Sequence, residues 1–314
     1  MSGARRVLRW LAVRLAGAVF VLWSIATLIF FALRLVPGDP ALAILGGPGS
    51  QASEEALALV RQEYGLDRPV SEQYLLAMGR LLVGDLGTSY SLRQDVLGLI
   101  AEQFWGTLLL TVLALATAWL LALGLATWAT RGSRAGRAVA SALEIVAAAV
   151  PHFWLASVLI LLFSTTLGML PPVSVPGPLG LVLPVVTLAL PLAGFLAQVM
   201  RESLADALES PFALSARARG ESETGVRLRH AVRHAALPAI SLSGWAFGSL
   251  ISGAVVVETV FARPGLGRSL LKAVTDRDIP LVTGIALVSA LAFVLVTIAT
   301  DALDRVADPR LRGS

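Results

Sequence analysis

Six long apolar runs constrain this chain more than any other feature of its sequence. Each run is close to, or longer than, the about 20 residues that cross a bilayer as a helix. The runs fall at residues 10–33, 104–130, 139–167, 179–200, 237–261 and 281–302. With 56% hydrophobic and only 15% charged residues, the chain has too little polar surface for a soluble fold of 314 residues. The sequence therefore predicts an all-α polytopic membrane protein with six transmembrane helices.

Arginines beside these runs predict the orientation in the membrane. Basic residues concentrate in short cytoplasmic loops. They precede the first run, separate the second from the third, and recur in the C-terminal tail at Arg5, Arg6, Arg9, Arg131, Arg134, Arg137, Arg310 and Arg312. Both termini are therefore predicted to be cytoplasmic. Because the basic residues cluster beside apolar spans, the net charge of +4 does not indicate nucleic acid as a partner.

The polar segment after the first run is predicted to be helical and extracytoplasmic. The first run is longer than the about 7–15 residue core of a signal peptide, so we expect an uncleaved span. A turn at residues 37–40 opens the segment, and helices are predicted near 53–64, capped by Ser53, and near 71–82. The predicted organisation is 1–35 for the N-terminus and first span, 36–100 for the outer segment and 101–314 for the core.

A charged loop, residues 205–238, separates the fourth and fifth apolar runs. We expect two short helices there, with side-chain oxygens capping each start and glycine ending the first. Caps and breaks are predicted at Ser210, Pro211, Gly220, Ser222 or Thr224, and Pro238, where the fifth span would begin. The expected N-cap role of Ser210 is to accept hydrogen bonds from the first amides of the new helix.

Polar and helix-breaking residues within the spans are further candidates for functional residues. Pro151 removes a backbone hydrogen bond from the third span, and we expect a kink there. This predicts either a packed kink or a part of a translocation path formed by Pro151, His152, Phe153 and Trp154. Glu144 and Glu258 are expected near span ends, with Glu258 paired to Arg263 or Arg268 at the interface.

The charged loop resembles the EAA loop of bacterial ABC importer permeases, in particular those of the dipeptide, oligopeptide and nickel group. The matching residues are Phe212, Ser215, Ala216, Arg217, Ala218, Arg219, Gly220, Arg229, His230, Leu237 and Pro238. The glutamate that names the loop is absent, and Leu214 stands near its place. Similar agreement extends from about residue 35 to residue 312, including the stretches at 64–69, 84–90, 258–268, 277–282 and 308–312.

This resemblance implies the permease subunit of an ATP-driven importer of di- and oligopeptides in the bacterial inner membrane. It implies four partners: a homologous permease subunit, two ATPase subunits that bind ATP and Mg²⁺, and an extracytoplasmic substrate-binding protein. The chain itself has no G-x-x-x-x-G-K-[ST] phosphate loop, and we expect neither a cofactor nor enzymatic activity in it. In the expected docking site Phe212 anchors the helix, the alanines allow close approach, Arg217 offers charge and Gly220 sets the bend.

Three alternatives remain open at this point, and one of them is a membrane scaffold that transports nothing. Nickel or another small solute could be the cargo of the same kind of permease. An ion-driven secondary transporter would instead show charged residues at mid-membrane depth or inverted repeats.

Overall fold

The computed structural model describes residues 3–35, 38–46, 49–131 and 134–307, and these residues are overwhelmingly helical. Within those ranges the extended structure is limited to an isolated bridge between Thr88 and Asp95. The predicted turn at 37 and the basic tail at 308–312 lie wholly or partly outside the described residues. The helices are α1 (Gly3–Leu35), α2 (Pro40–Ile44), α3 (Glu54–Glu63), α4 (Val70–Leu82), α5 (Val96–Arg131), α6 (Arg134–Ala149), α7 (His152–Leu159), α8 (Leu179–Glu209), α9 (Pro211–Ala218), α10 (Glu223–Gly225), α11 (Val232–Val260), α12 (Leu266–Thr275) and α13 (Ile279–Ala307), with π-helical segments at Ile160–Thr166 and Val226–Ala231.

The prediction of an all-α polytopic membrane protein is confirmed. Among the described residues, five helices are long and apolar enough to cross a membrane, and a sixth span results if α6 and α7 are counted together. Those two are bent by 106° at Pro151. The predicted kink is therefore a break, because Pro151 lacks an N–H and adopts an extended conformation (φ −67°, ψ 139°) before α7 starts.

The chain divides into two compact units. The first comprises Met1–Trp105 and Pro264–Val294, and the second comprises Gly106–Arg263 and Leu295–Ser314. In the first unit, both predicted outer helices form, as α3 and α4, and the Ser53 hydroxyl accepts from the Ala56 amide as predicted. Its main core gathers Val96, Ile100, Leu266, Ala273, Leu281, Val282 and Ile285.

Asp278 is the polar centre of the first unit. Its carboxylate is fully buried and accepts hydrogen bonds from the Ser91 hydroxyl (2.9 Å) and amide (3.1 Å) and from the Ser89 hydroxyl. It also accepts from the Leu281 amide in the first turn of α13 (3.2 Å). One carboxylate therefore ties the loop before α5 to the start of α13, and each buried polar group has a partner.

The second unit is built around α8, which packs against α6 and α11. At Gly194, a Cβ would lie 2.5 Å from the Glu144 carbonyl oxygen and 2.6 Å from the Ala148 amide nitrogen. At Gly253 on α11, a Cβ would lie 2.9 Å from a Leu188 methyl carbon. Such glycines allow helices to approach closely, which provides the packing energy where lipid supplies no hydrophobic driving force.

Candidate functional site

The charged loop is more continuously helical than its sequence predicts. Helix α8 continues to Glu209, and Pro238 lies inside α11 instead of at its start. The prediction for Pro238 is wrong because the carbonyl that it frees, that of His234, accepts from the Ser203 hydroxyl of α8 at 3.4 Å. The cost of a proline in an existing helix is thus partly offset by a neighbouring helix.

Three of the five predicted cap and break features, at Pro211, Gly220 and Ser222, appear where expected. Pro211 occupies the first turn of α9, Gly220 has a left-handed φ of +84° just after it, and the Ser222 hydroxyl accepts from the Gly225 amide at 3.2 Å. Ser210 is the N-cap residue by position, but its hydroxyl donates to the Ala207 carbonyl at 2.5 Å. The expected direction was wrong because the last carbonyls of α8 also lack helical partners and compete for the same hydroxyl.

One face of α9 packs against other residues of the charged loop. Ala213 and Ala216 are buried against Val226, with Phe212 beside them. The Phe212 ring stacks on His234 at 4.6 Å between centroids. Ala216, expected to let a partner approach, therefore faces the interior of the loop, and Phe212 anchors α9 to α11.

Arg217 also binds within the loop. Its guanidinium donates to both carboxylate oxygens of Glu223, at 2.7 and 3.2 Å, and to the Leu208 carbonyl at 2.9 Å. The hydrogen bond to Glu223 raises the pKa of Arg217 above its ordinary value against the opposing effect of burial, and the charge of Glu223 adds a smaller increase. The predicted charge is present, but it closes α9 onto α10.

The opposite face of α9 is exposed. Leu214 is 63% exposed, a high value for a large apolar side chain. The exposed residues of this face are Pro211, Leu214, Ser215, Ala218, Arg219 and Gly220. This apolar centre with a cationic edge is the surface that another protein can reach, and we call it the α9 face.

The rest of the charged loop is joined to the membrane helices. Glu221 accepts from His230 Nε2 at 2.9 Å and lies 3.9 Å from the Arg229 guanidinium. Arg227 is buried, and it donates to the Thr130 carbonyl in the last turn of α5 at 3.1 Å. The loop is thus linked to α5, α8 and α11 by specific polar contacts.

The residues predicted from Pro151 to Trp154 have different surroundings. His152 lies beside α11, since its Nε2 would be 3.3 Å from a Cβ on Gly253. Phe153 and Trp154 are largely exposed at the start of α7. Within the second unit, His152 is the member of this group that faces other helices.

Two carboxylates predicted near span ends are buried among the helices of the second unit. Glu144 and Glu258 are both fully buried. Glu144 accepts from Arg201 Nε at 2.9 Å through one oxygen, and its other oxygen has no hydrogen-bond partner among the described residues. Glu258 accepts from the Thr107 hydroxyl at 2.5 Å, while Arg263 donates to the Ser174 hydroxyl. Buried Ala140, four residues before Glu144, was a signal that this face of α6 is packed.

Solved structures confirm the fold of much of this chain. An amino acid ABC transporter matches 66% of this chain and 94% of its own, with a TM-score of 0.52 and 20% identity. The MetNI methionine ABC transporter, in an inward-facing conformation, matches 68% of this chain and 97% of its own, with a TM-score of 0.54 and 18% identity. At this level of identity the likeness concerns the fold alone.

Closer relatives match over nearly the whole chain. The glutathione transport system permease protein GsiC of Salmonella choleraesuis is 37% identical over 308 residues, covering 98% of this chain and 99% of the relative. A putative peptide transport system permease protein of Brucella abortus is 38% identical over 309 residues, covering 95% and 97%.

Family models match in two consecutive parts. Residues 7–111 match the N-terminal model of the binding-protein-dependent transport system membrane component, and residues 118–313 match the model of the inner membrane component. The chain therefore belongs to the family of inner membrane components of binding-protein-dependent transport systems, the permeases of ABC importers.

Proposed function

We propose that this chain is the permease subunit of an ATP-driven importer that moves di- and oligopeptides, with glutathione among the candidates, across the bacterial inner membrane. The observation that carries the cargo class is the match to the glutathione permease over 98% of this chain and 99% of the relative. Cytoplasmic termini and the division at residues 35 and 100 are part of the same proposal.

The α9 face is the proposed docking site for an ATPase subunit. Leu214 offers an apolar side chain at its centre, and Arg219 adds a positive charge at its edge. A short helix of this kind fits into a groove on a soluble partner. Ala213, Ala216, Phe212 and Arg217 serve this site indirectly, since they fix α9 against the remainder of the loop.

The proposed complex contains a second, homologous permease subunit, two ATPase subunits and an extracytoplasmic binding protein. ATP and Mg²⁺ bind to the ATPases. ATP shifts the permease between conformations only if the ATPases bind α9 better in one of them. The contacts of Arg227 with α5 and of Ser203 with α11 connect movement of α9 to the membrane helices.

Uptake into proteoliposomes tests this function. The complete complex, with its binding protein, is supplied with labelled glutathione, dialanine or Ni²⁺ and with ATP inside the vesicles. We expect uptake of the peptides that requires both ATP and the ATPase subunits. Uptake driven by an ion gradient without ATPases would contradict the proposal, and uptake of Ni²⁺ alone would contradict the cargo class.

A single exposed residue tests the docking site. Leu214→Arg places a charge at the centre of the α9 face, and we expect it to reduce copurification of the ATPase by about tenfold or more, as for a hot-spot residue. Leu82→Arg is the matched control, because Leu82 is also highly exposed but ends α4 in the outer segment. Equal ATPase capture by both variants would remove α9 from the proposed interface.

A further inference from the structure

The first unit contains a cavity of about 300 Å³ at the ends of two membrane helices. Its described lining comes from the last turn of α1, the start of α2, α3, α4 and the first residue of α13. The charged and polar groups that line it are Arg34, Asp39, Arg61, Gln73 and Arg277. We propose that this cavity binds the phosphate headgroup of an anionic phospholipid.

Charge is the first argument for this ligand. Three guanidinium groups and one carboxylate line the cavity. Asp39 is already bound, since it accepts from Arg61 and from the Ala41 amide. Burial acts to raise the pKa of the Asp39 carboxyl, but the hydrogen bonds from Arg61 and the Ala41 amide, with the charge of Arg61, together hold it below its ordinary value. The lining therefore has an excess of two positive charges.

Arg34 is held in place without being neutralised. Its guanidinium donates to the Phe30 carbonyl at 3.0 Å and to the Gln73 side-chain oxygen, and it lies 3.5 Å from the centre of the Phe30 ring. Both oxygens are uncharged acceptors. Gln73 is itself fixed by donating to the carbonyls of Leu66 and Arg68. A preorganised cation of this kind suits an oxyanion, because the planar guanidinium matches phosphate geometry.

Arg277 lines the cavity from a left-handed backbone position. It has a φ of +56°, an unusual value for a residue with a side chain. The guanidinium lies against Gly38, where an added Cβ would clash with its Nη1. A left-handed glycine, with φ +125°, thus leaves the space that the guanidinium occupies.

Position relative to the membrane selects a lipid among the possible anions. The apolar span of α1 ends at Leu35 and that of α13 begins at Ile279, so residues of both span ends line the cavity. The ends of spans lie at the level of the headgroups. Leu33, Leu66, Val70 and Ile279 supply an apolar wall for the glycerol and the first acyl carbons.

Native mass spectrometry of the intact transporter complex tests the proposal without any variant. The delipidated complex is titrated with phosphatidylglycerol, with diacylglycerol of the same acyl chains, with inorganic phosphate and with glutathione. We expect saturable retention of phosphatidylglycerol and not of diacylglycerol. Equal retention of both lipids would overturn the role of the phosphate. Displacement of the lipid by equimolar phosphate or glutathione would assign the cavity to a soluble anion and overturn the lipid assignment.

Arginine variants then locate the site. Arg34→Gln and Arg277→Gln are each expected to weaken phosphatidylglycerol binding by about fivefold, the effect of losing one basic residue near a headgroup. Arg80→Gln removes the same charge from an exposed position on α4, outside the cavity lining, and is expected to leave binding within about twofold. Equal affinities of all three variants and the unmodified complex would place the lipid elsewhere.

Discussion

Helices α1 and α8 are equally apolar but pack in opposite ways. The best window of each has a mean hydropathy of 2.3, yet 11% of that window is buried in α1 and 56% in α8. Hydropathy therefore identifies both as membrane helices but does not distinguish the lipid-facing helix from the central one. In a bilayer, lipid tails are as apolar as leucine, so the distinction depends on shape.

Small residues mark the difference. The buried face of α8 includes Gly180, Ala189, Ala193, Gly194 and Ala197. In α1, large side chains such as Val19, Phe20 and Leu28 are exposed, and a Cβ added at Gly17 would meet nothing within 4 Å. Helix α1 contacts α4 through side chains, since the Tyr74 ring packs against Phe30 and Phe31.

The largest expected effect comes from adding a side chain at the closest helix contact. Gly194→Val should lower the stability by about 3 kcal/mol or more, because its Cβ would meet backbone atoms of α6 that cannot move aside. Gly17→Val makes the same chemical change in α1 and should leave the stability almost unchanged. Thermal unfolding of both variants in detergent measures the difference. Equal unfolding midpoints would contradict the conclusion that α8 is more closely packed than α1.

Removing a buried side chain should have the next largest effect. Leu188→Ala should cost about 2 kcal/mol, mostly from the cavity left in the core of the second unit. Leu28, which is 68% exposed on α1, is the control, since lipid replaces the lost contacts there. The same unfolding assay applies, and a destabilised Leu28→Ala would show that α1 has a protein partner on that face.

Breaking the ion pair between α6 and α8 should lower the free energy of unfolding slightly less than Leu188→Ala does. Glu144→Gln removes the charge opposite Arg201, and we expect the free energy of unfolding to fall by about 1.5 kcal/mol. This is below the about 3–5 kcal/mol for fully buried pairs, because the Arg201 side chain is 24% exposed. Glu72→Gln breaks the exposed pair with Arg68 and should change the unfolding midpoint very little.

The smallest expected effect concerns the contact between α1 and α4. Tyr74→Phe keeps the ring but removes the hydroxyl bonded to Thr27 at 2.9 Å and to Trp23 at 3.1 Å. The loss should be about 1 kcal/mol, typical of a net hydrogen bond. Tyr64→Phe is the control. It also removes a hydroxyl from a tyrosine of the first unit and keeps the ring contact, here with Tyr90. A shift larger than that of Leu188→Ala would mean that α1 is no less tightly packed than α8.

Local features of this fold could be predicted from the sequence. The apolar runs, the caps at Ser53 and Ser222, and the left-handed Gly220 depend on residues close in the chain. The features that sequence missed depend on distant partners. Glu144 is buried because Arg201, 57 positions away, reaches it, and Glu258 is bonded to a threonine 151 positions away.

The charged loop also combines features set by nearby residues with features set by distant partners. Its helices and their breaks follow from proline, glycine and serine, so the sequence located them well. The direction of the Ser210 hydrogen bond and the interior position of Ala216 depend on which surface α9 packs against. That choice is made by α8 and by the segment at Val226–Ala231, and local propensity carries no information about it.

The continuous helical run from Glu223 to Val260, which includes the π-helical segment at Val226–Ala231, has a mechanical consequence. Its 38 residues, at 1.5 Å each, form a rod about 57 Å long. Such a rod is a lever: a tilt of about 5° displaces one end relative to the other by about 5 Å, nearly a full helical turn. The stacking of Phe212 on His234 attaches α9 near one end, and Glu258 lies at the other. Pro238, where the rod lacks one backbone hydrogen bond, is the point at which it can flex.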